Sequence, residues 1–389
     1  MAKRRTLRSS ALLLVGVIGL MIAFPTAAQT AQPETLTAIF DETLRDLLKE
    51  RGVPGVAIGL VQDGEFVWAG GYGLGDIQAA TPITMETRFN IGSVSKTLTA
   101  WGIMTLAEGD LIDLDAPVER YLTRWHLPES KFDHEQVTIR RILSHTAGLS
   151  VRGYHGVFTP DDILPTLEES LMGYSGSDGA LMVIYEPDTE FRYSSGGYTL
   201  LQLVIEEVTG EPFAAYIERT IFEPLGMADS GYEWTPELQA VVATPYDENG
   251  NRWPQYQYVE QGSGGLYTTA SDLGKFVAAA MPSADGSPAG RSILTPEMVA
   301  EMITPAAGTN GEYGLGYKLL PLTETITLIG HDGSNEGWRT LFFMYPTTGD
   351  GLVVLANSDN GGYAVDGIAC PWAAWAGIDL SAICEGQAS

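Results

Sequence analysis

Gly92-Ser93-Val94-Ser95-Lys96-Thr97-Leu98-Thr99-Ala100-Trp101-Gly102-Ile103-Met104-Thr105-Leu106 opens with a serine and a lysine three residues apart and continues as an apolar run. At helical spacing Ser93 and Lys96 share one face, with Cβ atoms about 5–6 Å apart. A serine hydroxyl at its free pKa is a weak nucleophile and needs a local base. A lysine amine becomes that base when desolvation lowers its pKa. Leu98, Ala100, Trp101, Ile103, Met104 and Leu106 are apolar nearly all round, which predicts a buried helix from Ser93 to Leu106, ending at Gly109. Ser93 would sit in its first turn, where unpaired N–H groups and the helix dipole favour a developing oxyanion. Taken alone, the pattern equally describes a helix start beside a solvated lysine.

Two further segments carry polar chemistry. In Arg192-Tyr193-Ser194-Ser195-Gly196-Gly197-Tyr198 a tyrosine precedes a Ser/Gly-rich turn and an apolar helix, so its hydroxyl can project into a cleft. In Gly330-His331-Asp332-Gly333-Ser334-Asn335-Glu336-Gly337 an apolar strand runs into a glycine-flanked polar edge, which lets a substrate backbone approach. His331 and Asp332 are adjacent and on a strand would face opposite sides, which makes them a poor acid–base pair. His145, in Leu143-Ser144-His145-Thr146-Ala147-Gly148-Leu149, reads as a hydrogen-bonded residue at a helix end. Asp110, Asp113 and Asp115 lack a calcium-loop spacing and read as caps and surface. Gly71, Gly73 and Gly75 do not make a dinucleotide fingerprint, and there is no Gly-x-Ser-x-Gly elbow or Walker loop.

Outward from these segments, strands are expected at both ends of the chain and helices in the middle. A helix is predicted through Leu36, Ile39, Phe40, Leu44, Leu47 and Leu48, stopped at Arg51-Gly52. Strands at 55–62 and 65–70 flank the hairpin signal Asp63-Gly64. Helix starts are predicted at Thr138, Thr159-Pro160, Thr199, Ser271-Asp272 and Thr295-Pro296. Strands follow at 313–319, 325–329, 338–345 and 352–356, then a helix at 364–375. The pattern predicts one sheet built from both chain ends, with helices inserted between.

The chain has 389 residues, 44% of them hydrophobic, enough for a sizeable core. Its formal net charge of −27 disfavours nucleic-acid binding, which needs a basic footprint. Lys3, Arg4, Arg5 and Arg8 precede an apolar run from Ala11 to Phe24 and the small-residue stretch Pro25-Thr26-Ala27-Ala28. Residues 1–28 therefore read as a signal peptide, and the rest as a protein exported to the periplasm or medium, with no stable membrane insertion after cleavage. An oxidising compartment allows Cys370 and Cys384, the two cysteines of the chain, to form a disulfide. The five histidines are scattered and no metal-ligand spacing occurs, so neither metal nor cofactor is expected.

Taken together, Ser93–Lys96, Tyr193–Ser195 and His331–Gly333 resemble the three motifs of the serine β-lactamase and penicillin-binding-protein superfamily. The resemblance is to the branch holding class C β-lactamases, D-Ala-D-Ala carboxypeptidases and related esterases and peptidases. Leu114–Val118, Leu143–Leu149, Pro224–Met227 and Gly264–Leu273 match between them, so the likeness runs from about residue 36 to 360. It implies an α+β fold: an antiparallel sheet from both chain ends flanked by helices, with an all-helical lobe inserted. The expected division of residues 29–389 is an α/β lobe at about 34–92 and 310–389, and a helical lobe at about 93–309. The implied chemistry is acylation of Ser93, with Lys96 and Tyr193 sharing the base and proton-relay work. The backbone N–H groups of Ser93 and Ser334 would form an oxyanion hole, while His331, Gly333 and Ser195 would hold substrate. Ser195 stands where the second motif usually ends in Asn, and His331 where β-lactamases have Lys. Both departures favour a peptidase or esterase acting on small amides, peptides or esters. A β-lactamase and a non-catalytic penicillin-binding sensor are the alternatives.

Overall fold

The run Gly55-Val56-Ala57-Ile58-Gly59-Leu60-Val61 has no polar alternation, so a strand there must bury both faces. In the computed structural model, which describes residues 33–379 apart from Glu324, this is β1 (Gly55–Gln62), inside a seven-stranded antiparallel sheet. β2 (Glu65–Asp76) returns beside it through Asp63 and Gly64, both at positive φ (53° and 74°), as a two-residue hairpin turn requires. β3 (Thr81–Pro82) lies outside β2, while β4 (Phe89–Asn90) and β5 (Tyr267–Thr268) pair separately. β6 (Lys318–Pro321), β7 (Thr327–Asn335), β8 (Trp338–Tyr345) and β9 (Asp350–Ala356) complete the order β3-β2-β1-β9-β8-β7-β6. The two chain ends meet where β1 pairs with β9, Val56 opposite Ala356 and Leu60 opposite Leu352.

Period-two alternation sorts β1 between two cores. Val56, Ile58 and Leu60 face the helices Pro33–Arg51 and Gly362–Trp375, packing with Leu36, Phe40, Leu44, Ile368 and Trp372. Ala57 and Val61 face the larger core of the helices Ala270–Ala279 and Ser95–Glu108, where Trp101 meets Phe276 at 5.0 Å. Gly59 permits that packing, since a Cβ there would lie 2.7 Å from the Ala270 carbonyl oxygen.

Several expected elements differ. The helix expected at Thr159-Pro160 is absent: Asp162 accepts from both the Thr159 N–H (2.7 Å) and its hydroxyl (2.8 Å), closing a turn. The helix begins later, at Leu167, behind a capping box of Thr166 and Glu169. The strand expected at 313–319 shrinks to β6, because Gly316 (φ +82°) turns the chain against Ala100 and the Lys96 carbonyl. β7 runs past the expected end at 329 to Asn335, so the polar segment 330–335 belongs to the strand. The helix expected from Thr199 starts at Ser195. The helix Ala270–Ala279, placed by sequence in the helical lobe, packs on the sheet against β1, β2 and β9.

Among the described residues no helix is long and apolar enough to cross a membrane, and no side-chain group could hold a metal. Residues 1–28 lie outside the described residues. Cys370 is disulfide-bonded, and Cys384, its expected partner, also lies outside them. Thiol titration of the unfolded, unreduced protein is expected to find no free thiol. A Cys370–Cys384 bridge is expected to add roughly 3 kcal/mol of stability.

Candidate active site

Gly92–Val94 forms one 3-10 turn ahead of the helix Ser95–Glu108. Two glycines let this turn lie directly on β7. A Cβ at Gly92 (φ +50°) would come within 2.8 Å of the Ser334 nitrogen, and one at Gly333 within 2.0 Å of the Ile91 carbonyl oxygen. The contact sets Ser93 beside Ser334, and both line a cleft of about 310 Å³ with Arg152, Ser195, Tyr258 and Ser263. Asn90 ties the segments together. Its side-chain oxygen accepts from the Gly92 N–H (3.0 Å) and from the Asn335 amide (2.7 Å), which also donates to the Gly264 carbonyl (3.1 Å).

Lys96 is fully buried. Its Nζ reaches the Ser93 Oγ at 3.2 Å and donates to the Ser263 carbonyl at 2.6 Å. Burial, reinforced by the Lys318 charge, pulls its pKa from 10.5 to about 7, so a large share of the amine is neutral near neutral pH.

Tyr193 comes from the segment before the helix Ser195–Thr209. The N-cap Ser194 fixes it: its hydroxyl accepts from the Gly197 N–H (3.0 Å) and donates to the Ser150 carbonyl (2.5 Å). The Tyr193 hydroxyl stands near Ser93, and burial raises its pKa, so the phenol keeps its proton. The ring lies 5.1 Å from the Lys96 Nζ and 4.2 Å from the His145 ring. His145, itself at φ +59°, accepts the Ser194 N–H on Nδ1 at 3.1 Å and supports the tyrosine from behind. Burial holds His145 well below the ordinary histidine range, hence neutral.

The remaining expected residues divide. Ser195 lines the cleft, but its hydroxyl donates to the Arg152 carbonyl (2.9 Å). His331 is buried behind the cleft wall, and both its nitrogens are taken. Nδ1–H donates to the Asp332 carbonyl (2.7 Å) and Nε2 accepts from the Tyr313 hydroxyl (2.9 Å). Burial holds its pKa below the ordinary histidine range. In this arrangement the imidazole supports the strand and Tyr313. Asp332 faces outward, as alternation requires, and pairs with Lys318.

Sequence reasoning did not single out Arg152, Ser263, Asn90, Asn335 or Tyr313. Ser263 acts through a backbone carbonyl, which leaves no side-chain signature; the run Gly262-Ser263-Gly264-Gly265 was the available hint. Glu260 anchors that turn, buried against the hydroxyls of Ser170 and Ser175.

Residues 40–369 match the family model described as Beta-lactamase. Penicillin-binding protein 4* of Bacillus subtilis is 26% identical over 347 residues, covering 82% of this chain and 71% of that protein. The octameric penicillin-binding protein homologue from Pyrococcus abyssi superposes with a TM-score of 0.67 at 29% identity, covering 83% of this chain and 74% of that one. D-alanine carboxypeptidase AmpC from Burkholderia cenocepacia shares the fold, with a TM-score of 0.68 at 24% identity over 87% of this chain and 99% of that one. The match spans the sheet, the inserted helices and all three motifs, and the chain belongs to the beta-lactamase family, which includes serine hydrolases.

Proposed function

We propose that this protein is an exported serine hydrolase that forms an acyl-Ser93 intermediate on small amides, peptides or esters. The observation that carries the reading is Lys96: buried, with its amine pKa near 7 and its Nζ 3.2 Å from the Ser93 hydroxyl. As the Ser93 Oγ–carbonyl carbon bond forms, neutral Lys96 takes the hydroxyl proton. The oxyanion is received by the Ser93 and Ser334 backbone N–H groups, the pair that line the cleft together. Tyr193, kept protonated by burial, passes its proton to the leaving group and recovers one from the Lys96 ammonium. Water then cleaves the acyl-enzyme, and the same groups return to their starting states.

Two observations favour a peptidase or esterase over a β-lactamase. His331 presents no charge and no free nitrogen to the cleft, and the Ser195 hydroxyl is already committed to Arg152. A β-lactam carboxylate and side-chain amide thus lose two partners. We expect kcat/KM for an aryl ester or small peptide to exceed that for a chromogenic cephalosporin by at least about 100-fold, or ~2.7 kcal/mol. Steady-state kinetics on protein lacking residues 1–28 tests this. Equal or better cephalosporin turnover would establish a β-lactamase. A fluorescent penicillin that acylates Ser93 and is never released, with no turnover of any ester or peptide, would establish a sensor.

A further inference from the structure

We propose that Glu260 is a positioning residue for the general base: its buried carboxylate anchors the turn whose Ser263 carbonyl holds the Lys96 amine beside Ser93. The inference rests on the serine-hydrolase reading and adds a residue to it. The Lys96 amine lies closer to the Ser263 carbonyl (2.6 Å) than to the Ser93 Oγ (3.2 Å). Where that carbonyl points therefore decides where the amine lies. The carbonyl belongs to a single helical turn, Gln261–Gly264, whose sequence Gln-Gly-Ser-Gly has little power to hold a shape of its own. It has to be held from outside.

Two helices hold the start of the turn. Gln202 accepts the Gly262 N–H (2.9 Å) and donates to the Val259 carbonyl (3.1 Å), and the Thr99 hydroxyl donates to the Gly262 carbonyl (2.7 Å). None of these bonds touches the peptide that bears the Ser263 carbonyl. Glu260 does. Its backbone carbonyl accepts the Ser263 N–H (3.0 Å) and the Gly264 N–H (3.1 Å), and the second of these shares a rigid plane with the Ser263 carbonyl. The Glu260 side chain makes no cap for the turn. It points instead to Ser170 and Ser175, whose hydroxyls both donate to one carboxylate oxygen. Ser170 is itself fixed in the helix Leu167–Leu171 behind its capping box. All three residues are buried, Tyr154 of the cleft wall faces the carboxylate, and no cation pairs with it among the described residues. A carboxylate removed from water without a cation is costly. What it provides here is a directional tie between turn and helix, which apolar packing does not give.

The test compares Glu260→Ala with three variants, each checked for folding by near-UV circular dichroism. Glu260→Gln keeps an oxygen for both serines without the charge. Glu260→Asp keeps the charge but falls a methylene short, and Ser170→Ala/Ser175→Ala removes the anchor from the other end. Glu260→Ala should lower kcat for an aryl ester about 30-fold with KM within about 2-fold of wild type, the scale of a small misplacement at the reacting centre. The Asp and double-serine variants should lose about 10-fold and Gln no more than about 3-fold, so the test stands even where Glu260→Ala does not fold. A second readout needs no turnover. Lys49, Lys96, Lys131, Lys275 and Lys318 are the lysines beyond residue 28, so NMR of isotope-labelled lysine resolves each, and Lys96→Met assigns the buried one. Its amine should titrate alike in wild type and Glu260→Gln. In the Ala, Asp and double-serine variants its proton affinity should rise about tenfold, because a slackened turn admits water to an amine whose pKa burial lowers, while Lys318 and Asp332 stay in place. That rise without turnover by the wild type would uphold the positioning role and sink the hydrolase. Glu260→Gln as damaged as Glu260→Ala would make the charge the acting element and overturn the role. A wild-type titration of Lys96 in every folded anchor variant, whatever its kcat, would overturn it as well.

Discussion

Ser93→Ala is expected to lower kcat/KM about a million-fold, the scale on which a serine hydrolase loses rate when its nucleophile is removed. The geometry leaves no substitute. Ser95, the other hydroxyl of the motif, is fully buried, donates to the Gly92 carbonyl at 2.7 Å and accepts the Leu266 N–H at 3.2 Å. It holds the 3-10 turn against β5 and has no path to substrate. Intact-protein mass spectrometry with an aryl phosphonate should show one adduct on the wild type and none on Ser93→Ala. Ser95→Ala should still be labelled, but less stable by about 1–3 kcal/mol, because the Leu266 N–H loses its acceptor. An adduct located on Ser95 would refute the assignment.

Lys96→Arg should cost about 10³- to 10⁴-fold in kcat/KM, nearly as much as Lys96→Ala. Arginine keeps the charge but stays protonated, and so cannot take the Ser93 proton. The wild-type profile carries the same information. The active form is the neutral amine, so kcat/KM should climb with pH through about 7 and level off above it. Stability should move in the same sense. Between about pH 7 and 10.5 the unfolded chain binds one more proton at this lysine than the folded one, so its contribution to stability improves as pH rises across that window and is least favourable below 7. Lys96→Met should remove this dependence together with the activity. A flat rate profile from pH 5 to 9, or an arginine variant close to wild type, would make Lys96 an electrostatic fixture only.

Much of the fold is written locally. The Asp63-Gly64 hairpin, the uninterrupted apolar β1 and the i, i+4 series Leu36, Phe40, Leu44, Leu48 each specify an element through short-range rules. The failures lie where a distant partner decides. Gly316 ends a β-like run because Ala100 leaves room there for no side chain, and Asp162 captures Thr159 before Pro160 can start a helix. The site follows the same division. Ser93 and Lys96 are close in sequence and share a face, so their proximity can be read from spacing. Whether His331 points at substrate depends on Tyr313, which reaches it across a bend no local pattern encodes. Ser263 contributes a backbone carbonyl, which no side-chain pattern announces.

The joining of β1 to β9 also sets the order of events when the chain folds. Asn357, just past β9, donates to the Leu74 carbonyl 283 residues earlier, and Thr340 of β8 donates to Ile91, 249 residues back. Closing loops of that length adds little to the equilibrium cost, because the entropy grows only with the logarithm of length. It weighs heavily on rate, since such distant pairings must form before they are rewarded. Until β9 arrives, the β1–β2 hairpin keeps one edge of Val56, Ile58 and Leu60 backbone unpaired, and the turn bearing Ser93 has no β7 to lie on. The cleft beside Ser93 therefore comes together only after the chain has been made through Asn335, the end of β7.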